Sequence, residues 1–343
     1  MKVAMYYSNK DIRIEEMPKP TAGKGELIVK VMASGICGSD VMEWYRIKKA
    51  PRVLGHETTG EVVETGEGVK DFKIGDRVIV THHVPCGECI YCKTGRETCC
   101  KTLRSTNFYP GGFSEYLRVP EINVRSGTLK LPENVSYEEG TFTEPLGCVV
   151  RAQRIMGISR GDTVLVIGAG ISGILHIQLA RVYGAEKIIA ADIKKFRLEM
   201  AGKFGADKVI NAKENKENIS EMIKEYNGRL ADRVIVTTGA VPAIRQALRS
   251  VDMGGTILFF APTDPGTEIS IDFLDMWSRC LKIVTSYAAV KKDLEEALSL
   301  ISKGKINVKD MITHRLPLSE TAKGFSLMIK GENSLKVIIN PHQ

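Results

Sequence analysis

Apolar and polar positions change their rhythm once along this chain. Through the first 150 residues the apolar stretches are short and strand-like, as in the period-2 segment Leu27-Ile28-Val29-Lys30-Val31-Met32 and the glycine-bounded run Gly75-Asp76-Arg77-Val78-Ile79-Val80. That pattern predicts a β-rich domain with few helices. From about Ser159 strands and helices alternate. Val164-Leu165-Val166-Ile167 is a continuous apolar run suited to a parallel strand buried on both faces, and Ile171, Leu175, Leu179 and Val182 follow at helical spacing. Residues 187–191, 233–236, 256–260 and 282–285 repeat the strand signal, with helices expected over 196–204 and 219–226. Such βαβ alternation implies a parallel sheet with right-handed crossovers, and hence an α/β fold class. After about Ala288 a helix carrying Leu294, Leu298 and Ile301 leads to the strand-like Leu335-Lys336-Val337-Ile338-Ile339. This tail is too short for a domain, so it is expected to return and complete the first one. The resulting domains are 1–150 completed by 288–343, and 151–287.

The length of 343 residues agrees with two domains at roughly 150 residues each. An apolar fraction of 43% and a charged fraction of 26% are those of a folded globular chain rather than a disordered one. The formal charge of +7 is spread among interleaved acids and bases, which favours anionic small molecules over a nucleic-acid groove. No apolar run approaches the roughly 18 residues that a membrane helix needs, and Ser8-Asn9-Lys10-Asp11 follows the N-terminal stretch where a secretory segment would continue. We expect a cytoplasmic protein with no membrane and no nucleic-acid partner. Five of the eight cysteines fall between Cys86 and Cys100, and in a reducing compartment such clustering favours metal ligation over disulfides.

Gly168-Ala169-Gly170-Ile171-Ser172-Gly173 follows an apolar strand and opens an amphipathic helix. In that setting Gly168 permits a tight turn, Gly170 lets a pyrophosphate approach the backbone, and Gly173 lets the helix pack closely; Ile171 and Ser172 offer helix N-terminal amides. Asp192, at the end of the second strand of this region, is the acid that such a site uses to bind ribose hydroxyls, which points to NAD.

Two cysteine constellations remain. Cys86-x2-Cys89-x2-Cys92-x7-Cys100 puts four thiolates in a fifteen-residue loop, enough for a closed tetrahedral zinc site. An iron–sulfur cluster, a disulfide-bridged or empty loop, and Cys99 as the fourth ligand are the alternatives. The second set is dispersed: Cys37-Gly38-Ser39-Asp40, Gly55-His56-Glu57 and Glu144-Pro145. One thiolate, one imidazole and one carboxylate hold zinc with a position left open, as a catalytic metal requires.

Gly55-His56-Glu57-x2-Gly60, continuing through Gly66 and Val69 to Gly75-Asp76-Arg77-Val78, resembles the zinc-containing medium-chain alcohol dehydrogenases, and the cysteine loop and the nucleotide motif fall in that family's order. Cys-Gly-Ser-Asp, Trp44 and Glu144-Pro145-Leu146 are most similar to the polyol branch typified by sorbitol dehydrogenase, with threonine dehydrogenase next. The resemblance implies a GroES-like catalytic domain, a Rossmann domain, an active site in the cleft between them, and a homotetramer. It makes Cys37, His56 and Glu144 or Glu57 the catalytic zinc ligands, with Cys148 a further candidate. Ser39 takes the substrate proton, Asp40 orients His56, and Arg197 packs along the adenine. Two departures stand out. Met42 occupies the place where many relatives carry a proton-relaying His, leaving His82 or His83 as substitutes, and Ser286-Tyr287-Ala288 stands where sorbitol-type enzymes tend to carry an Arg.

The implied chemistry uses two zinc ions per chain and NAD. A Lewis-acidic zinc lets an ordinary hydroxyl lose its proton near neutral pH, and hydride passes from carbon to the nicotinamide. The substrate is then a secondary alcohol (a polyol, cyclitol or sugar derivative) or, in reverse, a ketone. L-Threonine 3-dehydrogenase is the alternative within the class. A zinc-stabilised nucleotide-binding regulatory protein is the alternative outside it, and the intact set Cys37, Ser39, His56 and Glu144 argues against that.

Overall fold

In the computed structural model, which describes residues 1–215 and 218–343, the period-2 segments form strands β1 (Lys2–Ser8), β2 (Asp11–Glu16), β3 (Leu27–Gly35), β4 (Arg52–Val53), β5 (Glu57–Thr65), β6 (Arg77–Val80), β7 (Tyr116–Val119) and β8 (Thr128–Lys130). The alternating region supplies β9 (Thr163–Ile167), β10 (Lys187–Asp192), β11 (Lys208–Asn211), β12 (Ala231–Val236), β13 (Val251–Phe259) and β14 (Lys282–Thr285), and the tail supplies β15 (Ile312–Pro317) and β16 (Lys336–Asn340). The chain divides into one unit of Met1–Gly147 with Ala288–Gln343 and another of Cys148–Tyr287. The division falls inside the helix Thr143–Met156.

In the first unit a sheet of order β15-β16-β3-β5-β6-β8, with β7 also on β3, lies with a three-stranded sheet β2-β1-β4. The tail strand β16 pairs antiparallel with β3 through Ile338 and Gly35, so the tail and the N-terminal region share one sheet. Leu27, Val29, Val31, Val62, Val78 and Leu117 fill one core, all essentially without exposure, because alternate positions of these strands point the same way. Short helices, among them Glu43–Arg46, Ile90–Lys93 and Lys101–Ser105, occupy the loops.

The second unit is a parallel sheet of order β11-β10-β9-β12-β13-β14, the doubly wound arrangement. Leu165, Ile189, Val234 and Ile257 pack at its centre. β13 begins at Val251, five residues ahead of the expected start, because its register against β12 shifts between Ala231 and Arg233. Gly254, at φ +70°, supplies the irregular backbone of that bulge.

Candidate active site and nucleotide cradle

Strand pairing assembles the dispersed set. Gly35, the last residue of β3, lies opposite Glu57, the first of β5, so Cys37 leaves the sheet beside His56 and Glu57. One ligand atom from each of Cys37, His56 and Glu57 lies within 4.8 Å of the others. A thiolate, an imidazole and a carboxylate at that spacing fit a single zinc ion. Asp40 is fully buried; its Oδ1 lies 3.3 Å from His56 Nδ1 and its Oδ2 accepts from the Cys37 amide at 3.1 Å. Nδ1 being engaged, Nε2 is left as the ligand atom of the ring. Burial opposes charge on both groups. Even so, the His56 and Arg46 charges hold the Asp40 carboxyl below the usual carboxylate range, while Asp40 and Cys37 hold His56 well above the usual imidazole range.

Ser39 Oγ lies 3.4 Å from Cys37 Sγ. A residue that spacing did not reveal, Arg46, donates through Nη2 to Ser39 Oγ at 2.8 Å and to Asp40 Oδ1 at 3.2 Å, and through Nε to the Ser39 carbonyl at 2.9 Å. Lys336 of β16 is also new to the site. Its Nζ pairs with Glu57 Oε2, both side chains being 1% exposed or less, and a Cβ on Gly35 would fall on that pair. A lone Lys in the apolar run 335–339 was the available signal, since an unpaired Lys is almost never fully buried. Glu144, in the first turn of Thr143–Met156, is outside the set of three close ligand atoms, although the charges of His56, Glu57 and Lys336 act on it. Burial pushes its carboxyl up to about 7. The His82 ring lies 4.8 Å from that of His56, and the His83 ring 3.7 Å from that of His82. Burial lowers both, His83 to about 3, so both rings are neutral.

The cysteine loop brings Cys86, Cys89, Cys92 and Cys100 together, with Sγ separations of 3.9 Å for 86–92, 3.6 Å for 89–92 and 3.6 Å for 86–100. A tetrahedron with Zn–S near 2.3 Å has edges of roughly 3.8 Å, whereas a disulfide would need about 2.05 Å, and a cluster of several irons would push the thiolates further apart. Cys99 is exposed and outside the group, while Cys100 is buried against Leu103 and Val290.

In the second unit Gly168 sits at φ +96° between β9 and the helix Ile171–Val182, and a Cβ on Gly173 would collide with the Gly168 carbonyl. Those two glycines are explained by the turn and by packing. Gly170 is not: a Cβ there would meet nothing nearer than Arg197 at 3.8 Å, so its missing side chain leaves room over a helix N-terminus that has no side-chain cap. That is the space a pyrophosphate fits. Asp192 Oδ2 accepts from the Ala169 amide at 2.7 Å and its Oδ1 from the Lys194 amide at 2.9 Å, with Arg197 Nη1 at 3.9 Å. The carboxylate thus fixes the glycine turn, and each oxygen keeps a lone pair for a further donor.

Residues 23–133 match the family described as "Alcohol dehydrogenase GroES-like domain", and residues 172–303 match "Zinc-binding dehydrogenase". A sorbitol dehydrogenase of Halalkalibacterium halodurans is 34% identical over 96% of this chain and 95% of its own. An L-threonine 3-dehydrogenase of Yersinia pestis is 32% identical, covering 96% of each chain. The crystal structure of 2R,3R-butanediol dehydrogenase from Bacillus subtilis superposes with a TM-score of 0.87 at 29% identity, covering 99% of each chain. With both domains matched and the similarity running nearly end to end, the chain belongs to the zinc-containing medium-chain alcohol dehydrogenases.

Proposed function

We propose that this enzyme transfers a hydride between NAD and a secondary alcohol, one hydroxyl of a polyol, cyclitol or sugar derivative, at a zinc held by Cys37, His56 and Glu57 or Glu144. The observation that carries this reading is the convergence of the Cys37, His56 and Glu57 ligand atoms within 4.8 Å, with Ser39 Oγ 3.4 Å from Cys37 Sγ. Zinc supplies Lewis acidity there, which lowers the pKa of a hydroxyl. Asp40 holds the His56 ring in one tautomer and orientation. Ser39 accepts the substrate proton: Arg46 fills one of its two lone pairs and its own hydroxyl donates to Cys37 Sγ, leaving one lone pair for the proton that arrives. Lys336 restrains Glu57, so that this carboxylate exchanges with water rather than closing the site.

The Cys86, Cys89, Cys92 and Cys100 set holds a second, structural zinc. Gly168, Gly170, Ile171, Ser172 and Gly173 cradle the NAD pyrophosphate, with Asp192 on the ribose and Arg197 beside the adenine. The Asp192 charge disfavours a 2′-phosphate and so favours NAD over NADP. A cytoplasmic homotetramer completes the reading, on family resemblance. The threonine dehydrogenase similarity supports a second reading, with threonine as the alcohol. Metal analysis together with NAD and NADP reduction across polyols, cyclitols and threonine decides among these. Two zinc ions per chain and turnover of a polyol with NAD are expected; a single zinc would overturn the second metal site, and turnover of threonine alone would replace the polyol assignment.

A further inference from the structure

The cations beside Cys37, Ser39 and His56 exceed what holding those residues requires. Arg46 serves Ser39 and Asp40 with a side chain only 14% exposed. Six residues on, in β4, Arg52 has a buried Nε with no hydrogen-bond partner, and its charge acts on Asp40, Arg46 and His82. Lys49 and Arg104 are near enough for their charges to act on His83. Among the described residues, the acidic groups that face these cations are Asp40, Glu43 and the Cys37 thiol, which lies against Ser39. Asp40 is engaged by His56, Arg46 and the Cys37 amide, and Glu43 accepts from the Asn9 amide. His82 Nδ1, in the ring that packs on His56, is buried without a partner. Arg46 is occupied with Ser39 and Asp40, while the Arg52 Nε–H beside it is left unpaired in a buried place, an arrangement that lacks an anion.

Resting on the functional reading above, we propose that the substrate carries an anionic group, a carboxylate or a phosphate, in addition to the reacting hydroxyl, and that Arg52 and Arg46 receive it while Lys49 and Arg104 attract it. A hydroxyl directed to Ser39 Oγ lies next to the Arg46 guanidinium, so the second group of the same molecule meets these cations. His82 Nδ1 offers a neutral partner to a further substrate hydroxyl. A sugar acid or a polyol phosphate therefore fits better than an uncharged polyol.

The test titrates the zinc-loaded full-length protein, in the presence of NADH, with sorbitol, D-gluconate and sorbitol 6-phosphate by calorimetry, and follows NAD reduction with the same three compounds. At least one anion should bind about tenfold or more tightly than sorbitol, as a charged hydrogen bond implies. Arg52→Gln should bring that anion close to sorbitol, and Arg52→Lys should recover part of the difference; Lys49→Gln, on an exposed side chain, should weaken the anion if Arg52→Gln does not fold. Sorbitol binding as tightly as both anions, or an equal loss for all three compounds on substitution, overturns the proposal. So does a loss confined to NADH affinity, which would assign the cations to the cofactor. Tight anion binding without turnover of any alcohol would uphold the anion site and overturn the dehydrogenase assignment instead.

Discussion

Lys336→Met removes the ammonium from the Glu57–Lys336 pair while keeping most of the apolar length of the side chain. With both residues at 1% exposure or less, water cannot take the place of the lost partner. Breaking a buried pair in this way costs about 3–5 kcal/mol. The unit that holds it has roughly 200 residues, for which each kcal/mol moves the melting temperature by about 2–4 °C, so the metal-free variant should melt roughly 6–20 °C below the metal-free parent. Glu57 also stands within 4.8 Å of the Cys37 and His56 ligand atoms, so a divalent cation there replaces the missing positive charge. The loaded variant should consequently lose less than half as much, and the difference should reappear as tighter zinc binding, tenfold for each 1.4 kcal/mol. Turnover should fall, because a Glu57 freed from Lys336 closes the position that substrate needs. Calorimetric melting of both proteins with chelator and with zinc, plus a competition titration for zinc, measures each quantity. Equal melting losses in the two metal states, or a loss below about 2 °C, would refute the reasoning that Lys336 governs Glu57.

Four further outcomes are expected. Cys89→Ser should lower zinc content by one ion per chain and reduce thermal stability, whereas Cys99→Ser should change neither, as metal analysis of purified protein will show. Ser39→Ala should lower kcat by about 10²-fold or more, with Ser39→Thr retaining activity; a wild-type rate across pH in the alanine variant would place the proton elsewhere. Gly170→Val should weaken NADH binding by at least about tenfold with an unchanged melting temperature, because its side chain enters open space over the helix N-terminus rather than packed protein. His176, fully buried beside Gln153, is held by burial at about 3, against 6.5 for an exposed ring, so the unfolded chain binds a proton below pH 6.5 that the folded chain refuses. Stability should therefore fall with decreasing pH below 6.5, by up to about 1.4 kcal/mol per unit, and urea midpoints from pH 7 to pH 5 should fall less steeply in His176→Asn.

The parallel sheet was legible because β9, the middle of β10 and Val234–Val236 of β12 are buried and read as unbroken apolar runs. The helix Val241–Ser250 was harder to see, since Pro242 opens it and Gln246 and Ser250 interrupt its buried face, while Arg245 and Arg249 lie on the exposed one. The start of β13 was hidden because Gly254 and Gly255 resemble a loop. At the site, the four-cysteine loop was readable because its ligands are neighbours in sequence. Cys37, His56 and Glu57 were joined only through family resemblance, since it is the β3–β5 register that brings them together. Arg46 carried no signal at all: its contact with Ser39 depends on the turn of the short helix Glu43–Arg46, four residues too brief for periodicity to detect.

Because β16 lies against β3, the first unit cannot be completed as the chain is made. β3 and β5 leave the ribosome early, but the strand that pairs with Ser34 and Gly35, and the lysine that neutralises Glu57, follow some 300 residues later. At about 5–20 residues per second the nascent unit waits roughly 15–60 s with that edge of β3 unpaired and a carboxylate exposed where an ammonium belongs. An exposed strand edge is a site for pairing with other chains, so this interval is when the protein is most open to aggregation and to capture by chaperones. Slower translation of the 148–287 segment would lengthen the exposure. Yield in cells should thus respond to codon choice in a segment that contributes nothing to the metal site.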